Sequence, residues 1–261
     1  MTNLRAQFSN HLRSGRPIIG TWMQIPHPVV AETLAQTGFD FVLVDGEHAP
    51  TPPDVLSGLL PSLERLGAPS LYRVRSNSAD LIKGALDHGV SALMVPMVNS
   101  AAEAAAVVAA AKYPPIGKRG LGPWRVSNFY YDEAEYLATA NEDTAIVVQI
   151  ETREAVEAVD NIARTSGIDA LYVGPADLRM SLGTPPGLNP TFLAACKRVV
   201  DAAKKNGKVA GIDVASLDYV GPYREIGFSL MTFGLDTSYI VDGGRDMSRR
   251  LRERLGASAA G

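Results

Sequence analysis

Eight short apolar runs, separated by amphipathic stretches, constrain this chain more than any other feature. They cover residues 17–23, 39–45, 69–75, 91–97, 145–151, 168–174, 208–213 and 228–234. The segments FVLV (41–44), LMVP (93–96) and IVVQI (146–150) are continuous rather than alternating. That is the pattern of strands buried on both faces, as in a parallel sheet covered by helices. The stretches between them carry helix signals. Ser100 and Glu103 form a capping-box pair before an Ala/Val-rich segment. Asn189 followed by Pro190 places a cap before a first-turn proline. Leu56, Leu59, Leu60 and Leu63 make one apolar stripe, and Leu81, Ile82, Ala85 and Leu86 another. Gly38, Gly67, Gly89, Gly167, Gly207 and Gly227 each stand just before a strand, where a helix C-terminal glycine belongs. The whole chain, 1–261, therefore reads as a single (β/α)8 barrel domain. A doubly wound open sheet is the alternative, weakened because no G-x-G-x-x-G turn follows the first strand.

One connection is anomalous. Residues 113–144 separate the fourth helix from the fifth strand, whereas an αβ loop usually has about two to six residues. Residues 132–140 read as an extra short helix. Arg119, Trp124, Arg125, Phe129 and Tyr130 then either form a surface loop or fold along the barrel toward a pocket or a neighbouring subunit. Charge excludes some partners. The net charge is −3, and the basic cluster Arg245, Arg249, Arg250, Arg252 and Arg254 is interleaved with acids, so it reads as a solvated helix face rather than a nucleic-acid surface. Cys196 stands alone, which precludes an internal disulfide or thiolate cluster. The N-terminus lacks an apolar signal core and no run approaches a membrane span, so a soluble, cytoplasmic protein is expected.

Active sites of such barrels lie at the carboxyl ends of the strands. Those ends carry Trp22, then Asp45-Gly46-Glu47-His48, Arg73, Gln149 and Glu151, Gly174-Pro175-Ala176-Asp177, and Asp213. Glu151 and Asp177 lie one βα unit apart, hence on neighbouring strands. Two close carboxylates raise each other's pKa, and a divalent cation such as Mg2+ or Mn2+ removes that conflict. The plainer reading is that one of them caps the following helix. Asp45 is placed to fix the tautomer of the His48 ring. Arg73, in an otherwise apolar strand end, needs an anion. His11, His27 and His88 read as structural. No lysine stands at a carboxyl end facing the interior. Six of the seven fall in helices or loops, and Lys208 opens a strand at the wrong end. Schiff-base chemistry is therefore disfavoured.

The motifs VDGEHAP (44–50), VPMV (95–98), YPPIGKRGLG (113–122), QIETREA (149–155) and VGPADL (173–178) resemble the HpcH/HpaI family, the metal-dependent class II pyruvate aldolases. The resemblance runs from about residue 20 to 255. It implies that Glu151 and Asp177 hold the metal (Mg2+ or Mn2+, with Co2+, Zn2+ or Ni2+ also compatible). It implies that His48, supported by Asp45, is the general acid/base, that Arg73 stabilises an enolate oxygen, and that Gln149 lies beside the metal. The N–H groups of Ala176 and Asp177, after Gly174, would cradle the carboxylate of pyruvate or a related 2-oxo acid. Trp22 and Leu121 would complete the substrate site. The second substrate would be an aldehyde. The resemblance also implies a hexamer whose C-terminal helix is exchanged between subunits, and Met247, Leu251 and Leu255 form an apolar stripe able to dock.

Two departures stand out. Asp213 replaces an apolar residue of the aldehyde pocket, and Pro123-Trp124-Arg125 replaces a small-residue segment. An acidic group there favours a polar hydroxyaldehyde. Three competing readings carry less. A CoA-ester lyase of the same superfamily would tend to be longer. A phosphate-binding barrel isomerase is suggested by Asp242-Gly243-Gly244-Arg245 after the eighth strand but leaves Glu151, His48 and Arg73 unexplained. A non-catalytic binding barrel leaves the charged mouth unexplained.

Overall fold

In the computed structural model, which describes residues 3–256, eight parallel strands close into a barrel in sequence order. They are β1 (Ile18–Met23), β2 (Phe41–Asp45), β3 (Ser70–Arg73), β4 (Ala92–Val95), β5 (Ala145–Ile150), β6 (Ala170–Val173), β7 (Val209–Val214) and β8 (Leu230–Leu235). Each lies within or one residue beyond an apolar run of the sequence. Around them run α1 (Leu4–Arg13), α2 (Pro28–Ala35), α3 (Leu56–Arg65), α4 (Ala79–His88), α5 (Ala101–Ala111), α6 (Glu133–Asp143), α7 (Arg153–Ala163), α8 (Pro175–Leu182), α9 (Pro190–Lys205), α10 (Val220–Ile226) and α11 (Asp236–Arg254).

The period of two along each strand divides the core. Val42, Val44, Leu93, Val95, Ile146, Val148, Leu171 and Val173 point outward into the layer between strands and helices. Phe41, Leu43, Leu71, Met94, Val147 and Tyr172 point inward. Phe8 and Leu12 of α1 join the inward cluster, so the first helix plugs the amino-terminal end of the barrel. Gly20 of β1 is required there. A Cβ would strike the Phe41 ring, and burying that ring contributes about 1.5–3 kcal/mol.

The helix punctuation follows the sequence. Gly89 and Gly227 end α4 and α10 at φ values of 94° and 117°, a region that costs other residues about 1–2 kcal/mol. The Ser100 side chain accepts from the Glu103 N–H, although the Glu103 carboxylate reaches the N–H of Asn99 (2.6 Å) rather than that of Ser100. Asn189 caps α9 through the Thr191 N–H.

The long connection folds against the amino-terminal end of the barrel. It leaves α5 and enters β5 at that end, so topology fixes both of its anchors. Arg119 pairs with Asp87 at 2.6 Å and donates to Tyr136 Oη at 3.0 Å. Arg125 bridges Glu64 (2.6 Å) and the His88 carbonyl (2.7 Å). Trp124, Phe129 and Tyr130 remain exposed. Asp242, Gly243, Gly244 and Arg245 lie inside α11. Their N–H groups are committed to the helix, so they form no glycine loop for phosphate, contrary to the isomerase expectation. Among the described residues, no helix is long and apolar enough to cross a membrane.

Candidate active site

A cavity of about 550 Å³ opens at the carboxyl ends of the strands. The inward phase that gives Phe41 and Leu43 continues to Asp45, and on other strands to Trp22, Arg73, Gln149, Glu151, Asp213 and Thr232. Polar side chains thus replace apolar ones only in the uppermost inward layers. Trp22, His48, Arg73, Gln149, Glu151, Gly174, Ala176, Asp177 and Asp213 all line this cavity. Leu121 does not. It sits exposed on the 113–132 segment at the opposite end of the barrel, because a helix-to-strand connection returns at the amino-terminal side. This corrects its placement as a substrate contact within the same chain.

Asp45 and Arg73 are register partners on β2 and β3. Arg73 Nε donates to Asp45 Oδ1 at 3.0 Å, and Nη2 lies 2.9 Å from Oδ2. Burial alone would raise the Asp45 carboxyl. The hydrogen bond and charge of Arg73, with help from Gln24 and the Glu47 amide, outweigh it and hold the group below its ordinary value. Nη1 of Arg73 lies 3.1 Å from Glu47 Oε2, and the guanidinium carbon is 4.4 Å from the centre of the Trp22 ring.

His48 differs from the expectation. Asp45 Oδ1 accepts from the backbone N–H of His48 (3.2 Å) and of Glu47 (3.0 Å), not from the imidazole. The ring lies instead beside Glu47, with Nε2 3.6 Å from Oε2, and its side chain is 61% exposed. The reason is reach: Asp45 is inward and already bidentate on Arg73, while His48 has left the strand in the turn. Glu47 is the residue that sequence reasoning placed at the mouth without a role. Burial pushes its carboxyl up, the charges of Arg73 and His48 oppose this, and the negative charges of Asp45 and Asp177 add to it.

Glu151 is 3% exposed. Its Oε1 accepts from Gln149 Nε2 at 2.8 Å and its Oε2 from the Met97 N–H at 3.0 Å. Met97 holds a left-handed φ of 54° while presenting that N–H, a local strain of the sort found at functional sites. Gly174 is required opposite Glu151, since a Cβ would strike Oε1. Burial, the largest influence, raises the Glu151 carboxyl to about 7; the Met97 bond opposes it, and the charges of Asp177 and Glu47 add to it. Asp177, in the first turn of α8, faces the same cavity. Gly174 caps α8 without a side-chain bond, so the first N–H groups of that helix, at Ala176 and Asp177, are available to an anion.

The residues fit a divalent cation. A buried carboxylate at raised pKa, a second carboxylate at the mouth, and a buried Gln149 Oε1 without a partner are hard oxygen donors short of positive charge. Among the described residues, no three His, Cys, Asp or Glu side chains gather as ligands. The protein would thus supply Glu151 and Asp177, leaving other positions to water and substrate oxygens.

Asp213 is half-buried at the cavity wall, and one of its oxygens is taken up by protein donors. It accepts from Trp22 Nε1 and from Thr232 Oγ1, and burial pushes its carboxyl up despite those bonds. Thr232 and Tyr172, which sequence reasoning missed, complete this group. Their only signal was a polar side chain at an inward position of an otherwise apolar strand.

A family model described as HpcH/HpaI aldolase/citrate lyase matches residues 18–242. The chain belongs to the HpcH/HpaI aldolase/citrate lyase family. Within it, the hydroxypyruvate/pyruvate aldolase of Pseudomonas aeruginosa is 38% identical, over 97% of this chain and 96% of that protein. The 4-hydroxy-2-oxovalerate aldolase of Novosphingobium aromaticivorans is also 38% identical, over 96% of each chain. The crystal structure of a family protein from Burkholderia cenocepacia superimposes with a TM-score of 0.89 at 33% identity, covering 95% of this chain and 99% of that one.

Proposed function

We propose that this protein is a divalent-metal-dependent aldolase that cleaves and forms 4-hydroxy-2-oxo acids, using pyruvate or a related 2-oxo acid and an aldehyde. The observation that carries this reading is the buried Glu151 carboxylate, raised to about 7, facing one cavity with Asp177, Arg73 and His48. When bound by Glu151 and Asp177, a cation such as Mg2+ or Mn2+ supplies positive charge that lowers the energy of the enolate. The Ala176 and Asp177 N–H groups hold the 2-oxo acid carboxylate. Arg73 donates to the oxygen that becomes the enolate oxygen. In cleavage, His48 takes the proton from the C4 hydroxyl, directly or through one water. The C3–C4 bond breaks, its electron pair stays on the pyruvate fragment, and the aldehyde leaves. Protonation at C3 then gives pyruvate. Glu47, beside the ring and joined to Arg73, holds the orientation that the sequence reading had given to Asp45.

The acceptor is proposed to be a polar hydroxyaldehyde, because Asp213, Ser238, Tyr239 and Asp242 add polar groups to the cavity wall. The chain is taken to act as a single barrel domain in a homo-oligomer, with α11 exchanged between copies. Ile240, Met247 and Leu251 stand more than half exposed along that helix, as an uncovered docking stripe would.

Removal of divalent cations with EDTA should abolish release of pyruvate from a 4-hydroxy-2-oxo acid, and Mg2+ or Mn2+ should restore it. Glu151→Ala and Asp177→Ala should not be restorable. His48→Ala should lower kcat by about 10²–10⁴-fold while calorimetric metal binding persists. Full activity in EDTA would overturn the reading. Full activity in His48→Ala would remove the base assignment alone.

A further inference from the structure

The Asp213 carboxylate, at the cavity wall, links Trp22 of β1 to Thr232 of β8. Its Oδ1 accepts from Trp22 Nε1 at 2.7 Å and from Thr232 Oγ1 at 2.6 Å. Asp213 and Thr232 are register partners on β7 and β8, so the second contact is built into the sheet. Thr232 Oγ1 in turn lies 2.9 Å from Trp22 Nε1 and 2.5 Å from Tyr172 Oη. The proton directions close consistently. Tyr172 donates to Thr232, Thr232 donates to Asp213, and the indole N–H is shared between Asp213 and Thr232. The carboxylate is the acceptor on which this chain of donors ends. Tyr172 and Thr232 are fully buried and Trp22 is 7% exposed, while Asp213 is half-buried at the cavity wall.

The indole anchored in this way is the one that faces Arg73, 4.4 Å from its guanidinium carbon. Arg73 is thus held along its edges by Asp45 and Glu47 and across its face by Trp22. The carboxylates fix the direction of the guanidinium and the ring limits its tilt. Without the bond to Asp213, the indole N–H would keep only the Thr232 hydroxyl, itself freed to turn, and a small displacement of a catalytic group can lower a rate severalfold or more.

We propose that Asp213 is a positioning residue for Arg73: by anchoring the Trp22 indole, it sets the arginine that faces the enolate oxygen. The proposal rests on the aldolase reading and extends the role of Asp213 from the acceptor to the donor half of the reaction. The two roles separate cleanly. A residue that only contacts the aldehyde affects only steps that contain the aldehyde. A residue acting through Trp22 and Arg73 also affects hydrogen exchange at C3 of pyruvate in the absence of aldehyde. In that exchange a C3 proton leaves to a base, its electron pair enters the enolate, and a solvent deuteron returns to C3.

The experiment measures this exchange by proton NMR in D2O with Mg2+-loaded protein and pyruvate alone. A second readout follows the Trp22 indole ¹⁵N–¹H resonance in H2O, in a Trp124→Phe background that leaves Trp22 as the single tryptophan. Asp213→Leu should slow exchange by about tenfold or more and move the indole resonance. Asp213→Asn, whose amide oxygen can still accept, should recover exchange to within about threefold of wild type. Trp22→Phe should slow exchange as Asp213→Leu does, and the double variant should be no slower than the slower single one, because both act through one contact. Thr232→Val gives an independent variant should Asp213→Leu fail to fold, and it too should move the resonance and slow exchange. Wild-type exchange in Asp213→Leu, or an indole resonance that stays in place, overturns the proposal. If wild type itself shows no metal-dependent exchange, the aldolase reading fails, while the indole resonance still decides whether Asp213 anchors Trp22.

Discussion

At the scale of single residues, the site is organised by unequal treatment of its carboxyl groups. Asp45 is bidentate on Arg73 and held below its ordinary value, whereas Glu151 is buried with two neutral donors and raised to about 7. The second group has a consequence for stability. Its folded-state value lies above its unfolded value of 4.5, so the folded protein binds the extra proton more tightly than the unfolded chain does. The stabilisation is fully present below about 4.5 and is lost as pH rises through about 7. For metal-free protein the loss is up to about 3 kcal/mol. Thermal unfolding in EDTA should therefore show Tm falling between those pH values. Glu151→Gln, which cannot ionise, should flatten that fall, and Mg2+ should raise the wild-type Tm most on the alkaline side, where the carboxylate is free of its proton. A Tm difference between wild type and Glu151→Gln that does not change with pH would show that Glu151 ionises normally.

At the scale of elements, the sequence carried most of what the structure shows, for a physical reason. Continuous apolar runs fix the parallel strands, and the period of two fixes which side chains face the interior. That is why Glu151, Arg73 and Asp213 were legible as mouth residues before any contact was known. The partner of a polar side chain was less legible, because it depends on register between strands and on which neighbour is already satisfied. Asp45 pairs across the sheet with Arg73 and so is not free for the His48 ring; Thr232 pairs with Asp213 and passed as an ordinary strand residue. Leu121 was misplaced because a motif records resemblance but not the end of the barrel at which it falls. Local signals near helix ends were more reliable. The Ser100 cap of α5 is one, and Ser100→Ala should destabilise the protein by about 1 kcal/mol. Urea unfolding would check this, with the slope of the transition unchanged. The Glu103 carboxylate on the Asn99 N–H keeps a second bond at that helix start, which places the expected loss at the modest end.

At the scale of the whole molecule, α11 is the element whose far half the single chain leaves uncovered. It spans Asp236–Arg254, yet only Asp236 is buried. That aspartate ties the helix start to the barrel, accepting from the N–H groups of Gln24 and Ile25 at 3.0 and 2.8 Å. Beyond it, Ile240, Met247, Leu251 and Leu255 fall on one face at helical spacing and stand 60% exposed or more. On the opposite side Arg249 pairs with Asp246 and Glu253, so the polar face is internally satisfied and the apolar one is not. An apolar stripe of this length is expected to be covered by another chain. Met247→Glu with Leu251→Glu places two charges on the stripe without touching Asp236 or the cavity. Sedimentation should show the proposed homo-oligomer shifting to smaller species, with far-UV circular dichroism close to wild type because the barrel keeps its core. If the double variant sediments as wild type does, the stripe is not the contact between copies.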